Sequence, residues 1–118
     1  MADPIPVLMI SARADFGGGP EHLYTLLSGL KHRFLCYVAC PRDYPYWDRY
    51  QQLLGPERLF ELPHRKLSWT RLFSLCSFVR RNRIQIIHSH GKGAGVYSRP
   101  LGLLTGRSCV HTYHGLHN

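Results

Sequence analysis

A run of three glycines near the N-terminus is the part of this sequence best suited to bind an anion. Gly17, Gly18 and Gly19 follow the apolar segment 7–12 through a short polar link, and a helix-patterned stretch begins at once after them. A buried strand, a glycine-rich turn and a helix N-terminus present backbone N–H groups to an anion. Glycine also permits positive φ. The pattern predicts either a phosphate-binding loop or a tight strand-to-helix turn that needs small residues.

Three histidines lie near the ends of two later predicted strands. His88 and His90 share one face of the segment 84–90, and His114 follows the next apolar run. For His88 we favour a packing role, because buried polar groups normally find partners. A His-x-His pair on a strand can also bind zinc, yet zinc sites need three or four ligands, and only His114 or His117 offers a third here. We therefore predict no metal site.

The second glycine-rich segment does not match the standard nucleotide motifs. Gly91 and Lys92 are followed by Gly93 where a P-loop has Ser or Thr, and Ile86 replaces the first glycine of that loop. The dinucleotide fingerprint fails as well, because Ser98 stands in place of its third glycine. A Rossmann-like oxidoreductase is thus a less favoured interpretation, and we expect no cofactor.

The basic residues are concentrated in one part of the chain. The formal net charge is +8, and between Arg58 and Arg83 seven basic residues are opposed only by Glu61. Such an excess suits phosphorylated small molecules, nucleic acid or an anionic membrane surface. A helix capped by Ser68 lies inside this region and is either a solvated face or a contact for an anionic bilayer. Its predicted apolar stripe consists of Trp69, Leu72, Phe73, Cys76 and Val79.

Predicted strands and helices alternate along the whole chain. Strands are expected at 7–12, 34–40, 59–62, 84–90 and 109–113, with a helix after each of the first four. This pattern predicts an α/β fold, a Rossmann-like parallel sheet with helices on both faces and the strand order 3-2-1-4-5. Ligands bind beyond the carboxyl ends of such strands, where the order reverses. The glycine turn, the end of the fourth strand and His114 should therefore converge.

Three segments together resemble the retaining GT-B glycosyltransferases of family 4. They are 17–22 after the first strand, 87–95 after the fourth and 111–117 after the fifth, with sequences GGGPEH, IHSHGKGAG and HTYHGLH. Each alone is a weak motif, but their order and sheet positions make the set specific. The resemblance implies an enzyme that moves a sugar from a nucleotide-sugar donor to an acceptor hydroxyl.

The resemblance also implies roles for individual residues. Gly17 to Gly19 would lie against the donor diphosphate and the reacting hydroxyl, and His114 would contact the transferred sugar as the catalytic residue. His90, Gly91, Lys92 and Gly93 would line the acceptor pocket, with Lys92 available for an acidic group of the acceptor. Sugar transfer of this kind requires that the protein stabilise the leaving diphosphate and position the acceptor hydroxyl, and it requires little covalent catalysis by the protein.

The resemblance covers only the acceptor-side N-terminal domain of that fold. We expect residues 1–118 to be a truncated Rossmann-like domain that is inactive alone, since the donor-binding domain is absent. The cysteines show no Cys-x-x-Cys pair, and three lie in apolar patterns, which favours reduced core thiols and a cytoplasmic protein. From the basic excess we expect a peripheral position on the inner face of the membrane. The acceptor is expected to be lipid-linked or phosphorylated. The alternative of another class is a basic module that binds anions or nucleic acid.

Overall fold

Five parallel strands form one sheet in the order β3-β2-β1-β4-β5. The computed structural model describes residues 4–15, 17–64, 67–91 and 94–112. The predicted α/β class and the strand order 3-2-1-4-5 are both confirmed. In chain order the elements are β1 (Ile5–Ser11), α1 (Gly18–Leu30), β2 (Phe34–Cys40), α2 (Tyr46–Leu54), a 3₁₀ turn (Pro56–Arg58), β3 (Leu59–Glu61), α3 (Trp69–Arg81), β4 (Ile86–His90), α4 (Gly95–Thr105) and β5 (Ser108–Thr112).

The first strand lies at the centre of the sheet, which explains its continuous apolar sequence. Leu8 pairs with Tyr37 of β2 on one side and with Ile87 of β4 on the other. Residues 7–10 are all buried because helices cover both faces of this strand. A parallel strand buried on both faces shows an unbroken apolar run rather than an alternating one. The sheet order therefore reverses next to β1, between β1 and β4.

Two helical layers enclose separate halves of the core. Right-handed crossovers place α1 and α2 on one face of the sheet and α3 and α4 on the other. Leu23 and Leu27 of α1 pack with Val7 and Met9 in the first half. In the second half, α3 and α4 pack on Leu8 and on the other residues of a larger cluster, which includes Ile10, Leu72, Leu75, Val79, Ile87, Tyr97 and Leu101.

Capping residues set the bounds of the helices in the second half of the chain. The Ser68 hydroxyl accepts a hydrogen bond from the backbone N–H of Arg71 at 3.3 Å, so the predicted N-cap of α3 is confirmed. Gly106 follows α4 in the left-handed conformation with φ 71°, which glycine adopts without strain and which ends the helix.

The buried face of α3 differs from the predicted stripe. Trp69 and Phe73 are exposed, whereas Leu75 and Phe78 are buried. The prediction was wrong at these positions because two overlapping apolar stripes fit the same helix, and only one of them faces the sheet. The arginines of the helix lie along its exposed or half-buried sides. All four cysteines are free thiols, of which Cys109 is exposed and the other three are buried.

Candidate active site

A cavity of about 250 Å³ opens at the carboxyl edge of the sheet, between the ends of β1 and β4. This is the place at which the strand order reverses, where open α/β sheets bind their ligands. The cavity brings together two of the predicted segments, the glycine turn through Gly19 and the end of β4 through His90 and Gly91. Its lining residues are Ser11, Ala12, Arg13, Gly19, Pro20, His90 and Gly91.

The glycine turn is more helical than its sequence suggested. Gly17 is the N-cap of α1 in an extended conformation, and Gly18 and Gly19 already form the first turn. None of the three has left-handed backbone, so positive φ does not explain these glycines. A Cβ atom at Gly18 or Gly19 would meet nothing within 4 Å beyond its chain neighbours and the backbone of its own helix. An anion can therefore bind in the open space beside these glycines and accept hydrogen bonds from the first-turn N–H groups of the helix.

Helix α2 braces this turn through two hydrogen bonds. The N–H of Tyr46 donates to the Ala14 carbonyl at 3.0 Å, and the Tyr50 hydroxyl donates to the Pro20 carbonyl at 2.9 Å. Tyr50 is fully buried, and this burial raises the pKa of its phenol, so the hydroxyl stays a neutral donor. Sequence reasoning missed this residue, since the chain has seven tyrosines and only the packing of α2 on α1 shows which one reaches the turn.

Arg13 is a cavity residue that sequence reasoning also missed. Its guanidinium binds both carboxylate oxygens of Asp15, at 2.9 and 3.2 Å, and this hydrogen bonding raises the pKa of Arg13. The Nη2 atom would lie 3.5 Å from a Cβ at Gly17, which places the guanidinium beside the N-terminus of α1. Ser11 fixes the intervening bend by donating from its hydroxyl to the Arg13 carbonyl at 2.8 Å. The sequence did contain a signal for this role, because Arg13 is a basic residue directly after the predicted first strand, at the sheet edge where ligands bind.

The two histidines of β4 line different cavities. Their ring centroids are 4.1 Å apart, as expected for residues on one face of a strand. His90 is buried at the cavity, with its Nε2 atom 3.4 Å from the sulfur of Met9. His88 is half-buried beside a separate cavity of about 160 Å³. This second cavity is lined by Val7, Met9, Leu30, Phe34, Ile86 and His88.

Three residues of the sequence-predicted site lie outside the described residues: Lys92, Gly93 and His114. Within the described ranges, no group of three or more His, Cys, Asp and Glu side chains could hold a metal ion. Over the same ranges, no helix has both the length and the apolar character needed to cross a membrane.

Comparison with known proteins identifies the family. Residues 16–118 match the sequence model of the family described as Glycosyltransferase Family 4. The chain belongs to Glycosyltransferase Family 4. The match begins just before the glycine turn and includes all three of the segments that carried the resemblance, which is thereby confirmed at the level of the family.

A solved structure shares the fold of this Glycosyltransferase Family 4 chain. The crystal structure of MurG from Acinetobacter baumannii superposes with a TM-score of 0.69 at 14% sequence identity. The superposition covers 93% of this chain and 35% of the MurG chain, so the present chain spans about a third of the length of that protein. At this identity the likeness establishes the fold alone. No curated protein matches the chain significantly.

Proposed function

We propose that this chain provides the acceptor side of a retaining glycosyltransferase that uses a nucleotide-sugar donor. Membership of Glycosyltransferase Family 4 supports a transferase. The observation that carries the proposal is the cavity in which Gly19 of α1 meets His90 and Gly91 of β4. It places a helix N-terminus, suited to a diphosphate, opposite a histidine and a glycine-rich strand end, suited to an acceptor.

In this proposal the residues share the work as follows. The first-turn N–H groups of α1 stabilise the charge that develops on the leaving diphosphate, and Arg13, paired with Asp15, lies beside them. His90, Gly91, Lys92 and Gly93 orient the acceptor so that its hydroxyl faces the sugar. His114 contacts the transferred sugar. A second domain supplies most of the contacts with the donor, and the longer protein acts at the inner face of the cytoplasmic membrane on a lipid-linked or phosphorylated acceptor.

Substitution of Gly19 by valine tests the cavity. A valine side chain would enter the open space at this position, so we expect transfer to be lost while the fold is kept. Gly29 is the matched control, because it lies in the same helix and is equally free of close neighbours. The assay follows release of the nucleoside diphosphate from a panel of nucleotide sugars by a protein that contains residues 1–118. Normal transfer by Gly19→Val would show that the turn has only a structural role.

The same assay tests His114. Loss of a contact made in the transition state lowers kcat, whereas loss of a contact made equally in the ground state raises KM. We expect His114→Ala to reduce kcat far more than it raises the KM of the acceptor. His88→Ala is the comparison variant, and it should lower thermal stability first because His88 is half-buried and its truncation would enlarge the cavity that it lines with Met9 and Leu30. An unchanged kcat in His114→Ala would refute the assignment.

A further inference from the structure

A second cavity follows the candidate active site along the boundary between β1 and β4. On the α1 side of the sheet, this boundary consists of pairs that lie opposite one another in the parallel register: Ser11 with His90, Met9 with His88, and Val7 with Ile86. We call these pairs the seam. The first pair lines the candidate active site, and the other two line the cavity of about 160 Å³, here called the lower cavity. At 3.3 Å per residue, the seam is about 13 Å long.

The two ends of the seam differ in polarity. At the carboxyl end, the cavity is lined by Arg13, by His90 and by the first turn of α1 with its N–H groups. At the amino end, Leu30 and Phe34 complete a lining that is apolar except for His88. Among the described residues of this lower lining, none is Asp, Glu, Lys or Arg. A polar end that continues into an apolar end is complementary to an amphiphile.

Met9 lies between the two cavities. Its sulfur is 3.4 Å from the Nε2 atom of His90, and its side chain also lines the lower cavity. Methionine has an unbranched and flexible side chain that adapts to what binds beside it. Rotation about the side-chain bonds of Met9 would therefore join the two cavities into one channel along the seam.

The side of the seam that faces β5 is open to solvent. An inner strand of a parallel sheet is normally buried on both faces. Ile86 and His88 of the inner strand β4 are nevertheless only half-buried on this face. Val110, which lies opposite His88 in β5, is 51% exposed. A chain-like ligand can therefore enter the seam from this side, and its burial there would remove apolar surface of the protein from water as well as its own.

We propose that the seam binds the apolar tail of an amphiphile, an isoprenoid or alkyl chain, whose polar head lies in the candidate active site. The head would meet the N–H groups of α1 and His90, and the tail would cover Ile86, Leu30 and Phe34. A free sugar would gain nothing from the lower cavity because its hydroxyls would find one polar side chain there, that of His88. That this amphiphile is the acceptor rests on the proposed function. Its binding does not, so the two are tested separately.

A chain-length series of alkyl phosphates tests the seam without requiring sugar transfer. Butyl, hexyl, octyl, decyl and dodecyl phosphate are titrated, each below its critical micelle concentration, into a protein that contains residues 1–118 and is isotope-labelled at its methionine methyl groups. We expect the affinity to rise about fourfold per added methylene and to level off between decyl and dodecyl phosphate, where the chain becomes longer than the seam. The methyl resonance of Met9, assigned with Met9→Leu, should shift with the longer chains and stay in place with butyl phosphate.

Two substitutions block the lower cavity in different ways. Ile86→Trp should fill it from a half-buried position in its wall, and Leu30→Gln places an amide on another half-buried part of the lining. In both variants we expect decyl phosphate to bind at least tenfold more weakly. Butyl phosphate should bind as before, which shows that the fold and the site of the head are kept. Leu103→Trp is the matched control, since Leu103 is 87% exposed on α4, and it should bind the whole series like the unaltered protein.

Several outcomes would overturn the proposal. These are equal affinity across the series, a Met9 methyl group that does not respond to decyl phosphate, and full binding of decyl phosphate by folded Ile86→Trp and Leu30→Gln proteins. Affinity that keeps rising beyond dodecyl phosphate would mean adsorption to the surface, which also contradicts a seam of fixed length.

Two further comparisons name the tail and its role. Farnesyl phosphate and dodecyl phosphate have main chains of equal length, so the tighter of the two identifies an isoprenoid or an alkyl tail, and either result supports the proposal. In the transfer assay, longer tails should lower the KM of the acceptor and leave kcat unchanged. Binding along the seam without this effect on KM would contradict the acceptor role alone.

Discussion

At the scale of single residues, the hydroxyl of Tyr50 holds the glycine turn in place. It is buried and donates to the carbonyl of Pro20 across 30 positions of sequence, from α2 to the first turn of α1. Tyr50→Phe would remove this hydrogen bond, while the Pro20 carbonyl keeps its place as an acceptor within α1, so the free energy of unfolding should fall by about 0.5–1.5 kcal/mol. Chemical denaturation measures this loss, and hydrogen exchange should be faster at the N-terminus of α1.

Tyr44→Phe is the control for this substitution, because Tyr44 is 73% exposed and water can replace the hydroxyl at any group that it binds. Equal stability of the Tyr50→Phe and the unaltered proteins, with unchanged exchange in α1, would contradict the role given to Tyr50. A uniform increase in exchange over the whole chain would mean that the hydroxyl stabilises the fold without acting specifically on the turn.

At the scale of secondary-structure elements, the N-terminus of α3 depends on Ser68. Its hydroxyl caps the helix, and its N–H binds Tyr97 of α4, so the residue connects two helices. Ser68→Ala removes the cap alone and should cost about 0.5–2 kcal/mol of stability. Ser77→Ala, at an exposed position of the same helix, should leave the stability within about 0.5 kcal/mol or raise it slightly. A loss no larger than that of Ser77→Ala would show that the cap contributes little.

The elements also show how far a sequence of this kind can be interpreted. The bounds of β2 and the cap of α3 were predictable because a proline and a serine mark them locally. The buried face of α3 was not predictable, because a stripe with Phe73 and a stripe with Phe78 fit the helical period equally well. Similarly, the glycine-rich sequence predicted the position of the cavity. The positions of Arg13 and Tyr50 were not predictable, because they depend on how a loop and the helix α2 pack, and a local sequence pattern carries no information on that packing.

At the scale of the whole molecule, the size of the cavity limits what this chain can bind alone. Its volume of about 250 Å³ is below the range of roughly 300–1,000 Å³ that buries a drug-sized ligand. A helix N-terminus gives about 0.3–1 kcal/mol with an exposed anion. Micromolar affinity requires about 8 kcal/mol. We therefore expect calorimetry to detect no binding of nucleotide sugars to the 118-residue chain at micromolar concentration.

A longer protein that contains a donor domain should bind the same nucleotide sugars tightly enough for calorimetry. The comparison with a folded 118-residue chain isolates the contribution of the second domain. Micromolar binding by the shorter chain would mean that the complete donor site lies within these residues, and the division of labour proposed above would have to be abandoned.

The unequal charge of the two helical layers has a kinetic consequence. A molecule with acidic groups on one side of its sheet and an acid-free, arginine-bearing layer on the other is a permanent electric dipole directed across the sheet. Near a negative surface, the field exerts a torque that turns the arginine-bearing side forward before any contact forms. Collisions would then be productive more often than random tumbling allows, and this advantage would disappear as added salt shortens the Debye length.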